Sequence, residues 1–206
     1  MKKLIPILLL CVLAGCAGRR APKQDVSAMI TAAPRSILIV PIVNKSLDVD
    51  AANYVLSTLP TPLAEKGYYV FPVNTTKFVL EQEGYYEGDR VHQVPAEQLA
   101  KLFGADSVLY VTINRWDAQY FVISTQVTVD FDYRIVGSDG AELWKETRRI
   151  VYDPNEQNSN NGLLGMLINA VVARAAPDYM PLARRAHSGA FVSLPTGPYR
   201  PVTPKK

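Results

Sequence analysis

The sequence predicts a mixed α/β fold: a β-α-β-α start with parallel strands, then an antiparallel meander and a C-terminal helix. Three features predict it. Ser36 to Val43, "SILIVPIV", is an unbroken apolar run rich in β-branched residues, the pattern of a strand covered on both faces as in a parallel sheet. Strand-then-helix patterns follow one another twice, and successive β-α units call for parallel strands joined by crossovers. From Phe121 to Val136 the period falls to two. Phe121, Ile123, Val127, Val129, Phe131, Tyr133 and Ile135 share one face there, while Ser124, Gln126, Thr128, Asp130, Asp132 and Arg134 share the other. One face is therefore buried and one wet.

Ahead of this domain, residues 1–15 read as a secretory signal peptide. Lys2 and Lys3 form a basic leader, and Leu4 to Leu13 is an apolar block broken by Pro6, shorter than the roughly 20 residues that span a bilayer. Leu13, Ala14, Gly15 and Cys16 resemble the bacterial lipobox, whose cysteine becomes the acylated first residue of the mature chain. An acylated cysteine carries more than one fatty chain, which makes a lasting anchor where a single chain would not. Ala17, in place of an Asp, directs such a protein by resemblance to the outer membrane, on its periplasmic leaflet. Residues 16–35 then read as a lipidated flexible tether with a fully extended reach of about 65 Å.

The elements follow in order. After the loop "NKSLDVD", Asp48 or Asp50 is placed to cap a helix over Ala51 to Lys66, which Pro60 and Pro62 should kink or divide and Gly67 should end. Tyr68 to Val73 is the second strand. Asn74 to Gly84 reads as an N-capped helix with a glycine stop, and a loop with Gly88 and Asp89 leads to a helix from Pro95 to Gly104. Ser107 to Trp116 is the next strand. "GSDG" at 137–140 marks a hairpin turn, and "ELWKETRRIVY" returns. Asn158 to Gly162 is a loop, Gly162 to Ala176 a helix with a small-residue stripe, and a short helix lies near Ala183. The folded domain is bounded at 36–191, and residues 192–206 form a Pro-rich tail.

Composition excludes several classes of function. The chain has 206 residues, two cysteines and two histidines. Cys11 leaves with the signal peptide and Cys16 is lipidated, so no thiol remains for a disulfide, a nucleophile or a metal. Losing Lys2 and Lys3 lowers the formal charge from +3 to +1, too little for a nucleic-acid footprint. His92 and His187 lie outside any metal-type spacing, no G-x-S-x-G elbow or phosphate loop is present, and no cofactor motif is found. Asp153, Asn155 and Gln157 open a calcium-like loop that fails at Asn158 and Leu164. Asp130 and Asp132 share a strand face, but Arg148 and Arg149 on the returning strand offer them salt bridges. No catalytic residue is assigned, and the chain is expected not to be an enzyme.

Tyrosine is the surplus, at 11 residues. Of Tyr68 and Tyr69, neighbours on a strand, one can be core while the other is exposed. Tyr85, Tyr86, Asp89 and Arg90 fall in a long loop, where binding concentrates, and are nominated as a partner surface.

The segments "APRSILIVPIVNKSLDVDA", "PLAEKGYYVFPV", "LAKLFGADSVLYVTI" and "YFVISTQVTV" resemble a family of proteobacterial lipoproteins that includes a meningococcal antigen. The resemblance implies a fold like the N-terminal domain of TolB and a periplasmic module encoded beside a CsgG-like lipoprotein, its expected partner. It implies no catalytic residues. The expectation is an interaction module in envelope transport or assembly. Alternatives are a ligand-binding component of a transport system, with its pocket near Asn44 to Asp50, or an activator of a peptidoglycan synthase. The sequence leaves oligomeric state open, a homo-oligomer included.

Overall fold

A computed structural model describes residues 24–120, 125–152 and 179–200. The expectations at Cys16, at Asp153, Asn155 and Gln157, at the helix from Gly162 to Ala176 and at the last residues of the tail lie outside them. One sheet organises the chain. Its strands run in the order β3-β1-β4-β5-β6, with β2 also on β4; these are β1 (Ser36–Ile39), β2 (Val43–Asn44), β3 (Tyr69–Val70), β4 (Ser107–Tyr120), β5 (Thr125–Gly137) and β6 (Glu142–Tyr152). β1 pairs parallel with β3 and β4, whereas β4, β5 and β6 form an antiparallel meander. The mixed α/β fold is the one expected.

Every residue of β1 is buried. Ile37 and Ile39 enter the larger hydrophobic cluster on one face of the sheet, and Leu38 and Val40 enter a second cluster on the other. The expected single strand from Ser36 to Val43 is broken, however. Pro41 has no N–H to give the ladder, so pairing stops at Ile39 opposite Leu109 and resumes with Val43 opposite Thr112.

The larger cluster is closed by helices α2 (Ala51–Thr58), α3 (Pro60–Glu65) and α7 (Met180–Ala190). The helix expected over 51–66 is divided as its prolines demand, with Leu59 serving as the end of α2 and the cap of α3. Aromatic rings fill the middle of this face. Tyr133 meets Phe131, Trp144 and Phe191 with centroids 5.4–6.4 Å apart, and each such buried ring contributes roughly 1.5–3 kcal/mol. The smaller cluster is closed by α4 (Val73–Gln82) and α6 (Ala96–Phe103), through Leu80, Leu99 and Ala100. α6 ends at Gly104, which has a left-handed φ of 68°.

Four local expectations are corrected. Asn74 does not cap α4, because the extended Pro72 stands at the N-cap and its carbonyl accepts the Thr76 N–H. The stretch with Gly88 and Asp89 is a helical turn, α5 (Gly88–Val91), seated so closely on the β1–β2 break that a Cβ on Gly88 would lie 2.2 Å from the Ile42 oxygen. The tether does not run free to Arg35. Ser27–Ala32 form a short helix, α1, that packs on β6 and buries Met29 in the larger cluster. Nor does the tail hang free after residue 191. Phe191–Ser193 make a 3-10 turn, Leu194 is buried, and the chain runs to Arg200 with Gly197 N–H donating to Lys66 O and Tyr199 N–H to Gly67 O. Pro195 and Pro198 restrict the backbone there, and the carbonyls of Lys66 and Gly67 in the α3–β3 turn supply acceptors along it.

Candidate functional site

The described helices on this side are too short to cover the sheet. At 1.5 Å per residue α6 spans about 12 Å, while the 14 residues of β4 reach about 46 Å. On the side of the smaller cluster, therefore, the described helices roof the first part of β4 and the last part of β5 and leave the middle of β4, β5 and β6 open, while Thr128 farther along β5 is buried again. Thr112, Asp132, Arg134, Lys145 and Thr147 project into that space. With Tyr110 and His92 on one side, and Gln24, Asp25 and Ser27 on the other, they line an open groove of about 850 Å³.

The groove is held by a polar network. Asp132 accepts from Asn114 Nδ2 and from Thr147 Oγ1, both at 2.6 Å, and Lys45 Nζ reaches Asn114 Oδ1 at 3.5 Å. The Arg134 guanidinium lies 4.8 Å from the Tyr110 ring centre, opposite it in register, a stacked cation–π contact. His92 meets the same ring edge-on at 5.1 Å, and its Nε2 lies 3.1 Å from Pro41 O. A carbonyl can only accept, so Nε2 carries the proton. Burial lowers the His92 pKa to about 4, against the opposing pull of that hydrogen bond, and leaves the ring neutral near pH 7. At the far side, the Gln24 side chain donates to Lys145 O, and Lys145 pairs with Glu142 at 2.9 Å.

The expected salt bridges of Asp130 and Asp132 are not the ones formed. Arg148 sits opposite Phe131 on the other face of the sheet, where its guanidinium covers Gly189. Arg149 is in register with Asp130, but no ion pair joins them among the described residues. The strand period of two separates the neighbouring arginines.

The loop from Asn44 to Asp50 turns its polar groups inward. Asn44 Oδ1 accepts from the backbone and hydroxyl of Ser46, Asn44 Nδ2 donates to Asp48 O, and the Asp48 carboxylate accepts from Asp50 N–H and Trp116 Nε1. Outward it presents Leu47 and Val49, with Lys45 and Asp50 exposed beside them. No set of polar groups converges there on a ligand. Among the described residues no group of three His, Cys, Asp or Glu could hold a metal ion, and no helix is long and apolar enough to cross a membrane.

Of the nominated partner residues, Tyr85 is half-buried against the smaller cluster, while Tyr86, Asp89 and Arg90 are exposed. They do not line the groove; His92, just past α5, does. Tyr68 is core and Tyr69 exposed, as strand neighbours should divide. The groove was missed although its signal was legible: strands of 11 to 14 residues beside a helix of eight cannot be roofed along their length.

Residues 24–190 match the family described as "Putative lipoprotein GNA1162-like". The chain belongs to that family. It is 38% identical over 165 residues to "Putative lipoprotein NMB1124/NMB1162" of Neisseria meningitidis serogroup B, covering 80% of this chain and 76% of the relative. The crystal structure of lipoprotein GNA1162 from Neisseria meningitidis aligns with a TM-score of 0.58 at 39% identity, covering 68% of this chain and 96% of that one. A PelC dodecamer from Paraburkholderia phytofirmans aligns at 14% identity and a TM-score of 0.49, over 79% of this chain and 88% of that one. The matched segment opens at Gln24, whose side chain donates to Lys145 O on β6.

Proposed function

We propose that this GNA1162-like chain is a non-enzymatic interaction module. It is held in the outer membrane by lipid on Cys16, faces the periplasm, and docks onto another envelope protein in transport or assembly, with a CsgG-like lipoprotein as partner. The observation that supports docking is the open middle of the sheet. Strand-borne polar and charged groups, of both signs, line an open groove that is fixed by its own hydrogen bonds. Rigid, mixed-charge surface of this kind suits a protein partner, for which complementary charge sets register and specificity. Exposed Tyr86, with Asp89 and Arg90, is proposed as a second contact patch. The ligand-binding reading placed on Asn44 to Asp50 loses support, since Asn44, Ser46 and Asp48 engage one another and Trp116.

The test is a photo-crosslinking residue at Thr112 or Thr147, expressed in the native envelope, with Phe78 as a control position. Discrete adducts from the groove positions and none from Phe78 are expected. A mass corresponding to a peptidoglycan synthase would select the activator reading. Equal, diffuse crosslinking at all positions would remove the groove as a docking site.

A further inference from the structure

Eight residue steps separate Cys16 from Gln24, so that stretch can span at most about 28 Å, less than half the reach expected of a leash running to Arg35. Its domain end is also fixed in place. Gln24 donates to Lys145 O on β6, and α1 packs against the same strand. A short leash attached at β6 keeps that edge of the sheet close to the bilayer, and the opposite edge, β3, away from it.

The C-terminal half of β6 is cationic, beyond Glu142 and Glu146. Arg148 and Arg149 are exposed on it, and Arg185 of α7 joins them around a cleft of about 290 Å³, with Arg184 exposed alongside. Among the described residues no ion pair engages Arg148, Arg149 or Arg184. Guanidinium groups exposed on both faces of one sheet edge can each meet phosphate oxygens, which Arg binds in a bidentate manner.

We propose that the β6–α7 edge seats against anionic phospholipid headgroups of the membrane that holds the Cys16 lipid, with Arg148, Arg149 and Arg185 in contact with their phosphates. The proposal rests on the lipid-anchor part of the function proposed above. It orients the domain, so that the groove beside β6 opens at the membrane surface, within reach of another membrane-bound protein. Basic residues beside a membrane anchor draw the attached surface to anionic lipid in a salt-dependent way.

The lipidated full-length protein, reconstituted in vesicles, supplies the test. With its two natural cysteines removed or acylated, Val151→Cys on β6 and Phe78→Cys on α4 each carry a single fluorescent donor, and a headgroup-labelled lipid is the acceptor. In phosphatidylglycerol-containing vesicles, transfer from position 151 should exceed that from 78 at least two-fold. That excess should fall in 0.5 M salt and in Arg148→Gln/Arg149→Gln. Equal transfer from the two positions, or an excess unaffected by salt and present in pure phosphatidylcholine, overturns the headgroup contact. An edge that instead faces an acidic protein gives that same equal transfer. Protein that fails to float with the vesicles overturns the anchor and this orientation together.

Discussion

The Tyr133 hydroxyl lies 2.7 Å from His187 Nδ1 inside the core, joining the middle strand of the meander to the C-terminal helix. Both residues are fully buried, and His187 Nε2 has no hydrogen-bond partner among the described residues. A polar pair in an aromatic cluster is costly to break on one side only, because the remaining partner stays buried and unsatisfied. Tyr133→Phe is accordingly expected to destabilise by about 1–3 kcal/mol. The double variant Tyr133→Phe/His187→Leu should lose less than the sum of the single changes. Urea denaturation of the four proteins in the cycle measures the difference, and strict additivity would show that the two side chains do not act as a pair.

The same burial sets a pH dependence. Burial lowers the pKa of His187 from 6.5 to about 3 and that of His92 to about 4. Below pH 6.5 the unfolded chain takes up protons that the folded chain refuses, so this stability is fully present above 6.5 and is lost as pH falls toward 3. The urea midpoint should therefore drop between pH 7.5 and pH 5, and less so in His92→Gln. A midpoint constant over that range would contradict the neutral, buried state of both rings.

Two glycines in neighbouring positions should respond for different reasons. Gly88→Ala drives a methyl into the Ile42 backbone at 2.2 Å, an overpacking expected to cost about 1–3 kcal/mol and to loosen α5 from the β1–β2 break. Gly84→Ala meets nothing within 4 Å but sits at a φ of +86°, so only the left-handed conformation is penalised, by roughly 1–2 kcal/mol. Hydrogen exchange separates them. His92 N–H, bonded to Gly88 O at 2.9 Å, should exchange faster in the first variant and not in the second.

The C-terminal segment is predicted to be structural. Tyr68 Oη donates to Pro195 O, Lys66 Nζ to the Val192 and Leu194 carbonyls, and Gly197 approaches Gly67 so closely that a Cβ on it would lie 2.4 Å from the Gly67 oxygen. Gly197→Ala, or truncation after Leu194, should lower the denaturation midpoint and free the Tyr68 hydroxyl, whose pKa burial raises to about 12. Spectrophotometric titration would then find that tyrosine ionising earlier. An unchanged midpoint would mean that the tail is ornamental to the fold.

Where local chemistry decides, the fold was legible. Pro60 and Pro62 divide the helix, Gly104 stops another, and the alternation from Val127 to Ile135 buries every second residue. Thr128 is the exception on the wet face, buried although polar. What misled was sequence that looks polar or irregular yet is held by distant parts of the chain. Met29 sits in a segment too short to declare a helix and is ordered by β6. The tail is ordered by the Lys66 and Tyr68 side chains, which donate to its carbonyls, and by the Lys66 and Gly67 carbonyls, which accept from its N–H groups, about 130 residues away. Arg148 and Arg149 read as equivalent, but the edge strand sends one to each face. The groove is a property of relative lengths, of strands that outrun their helices, and no single motif announces it.

All that is proposed about where this domain works depends on Cys16. The most direct measurement is the intact mass, with N-terminal peptide sequencing, of the protein recovered from its own membrane. A chain beginning at Cys16 and carrying a diacylglycerol and a further acyl chain is predicted. A chain that retains residues 1–15, or one with a free Cys16 thiol, would contradict the account.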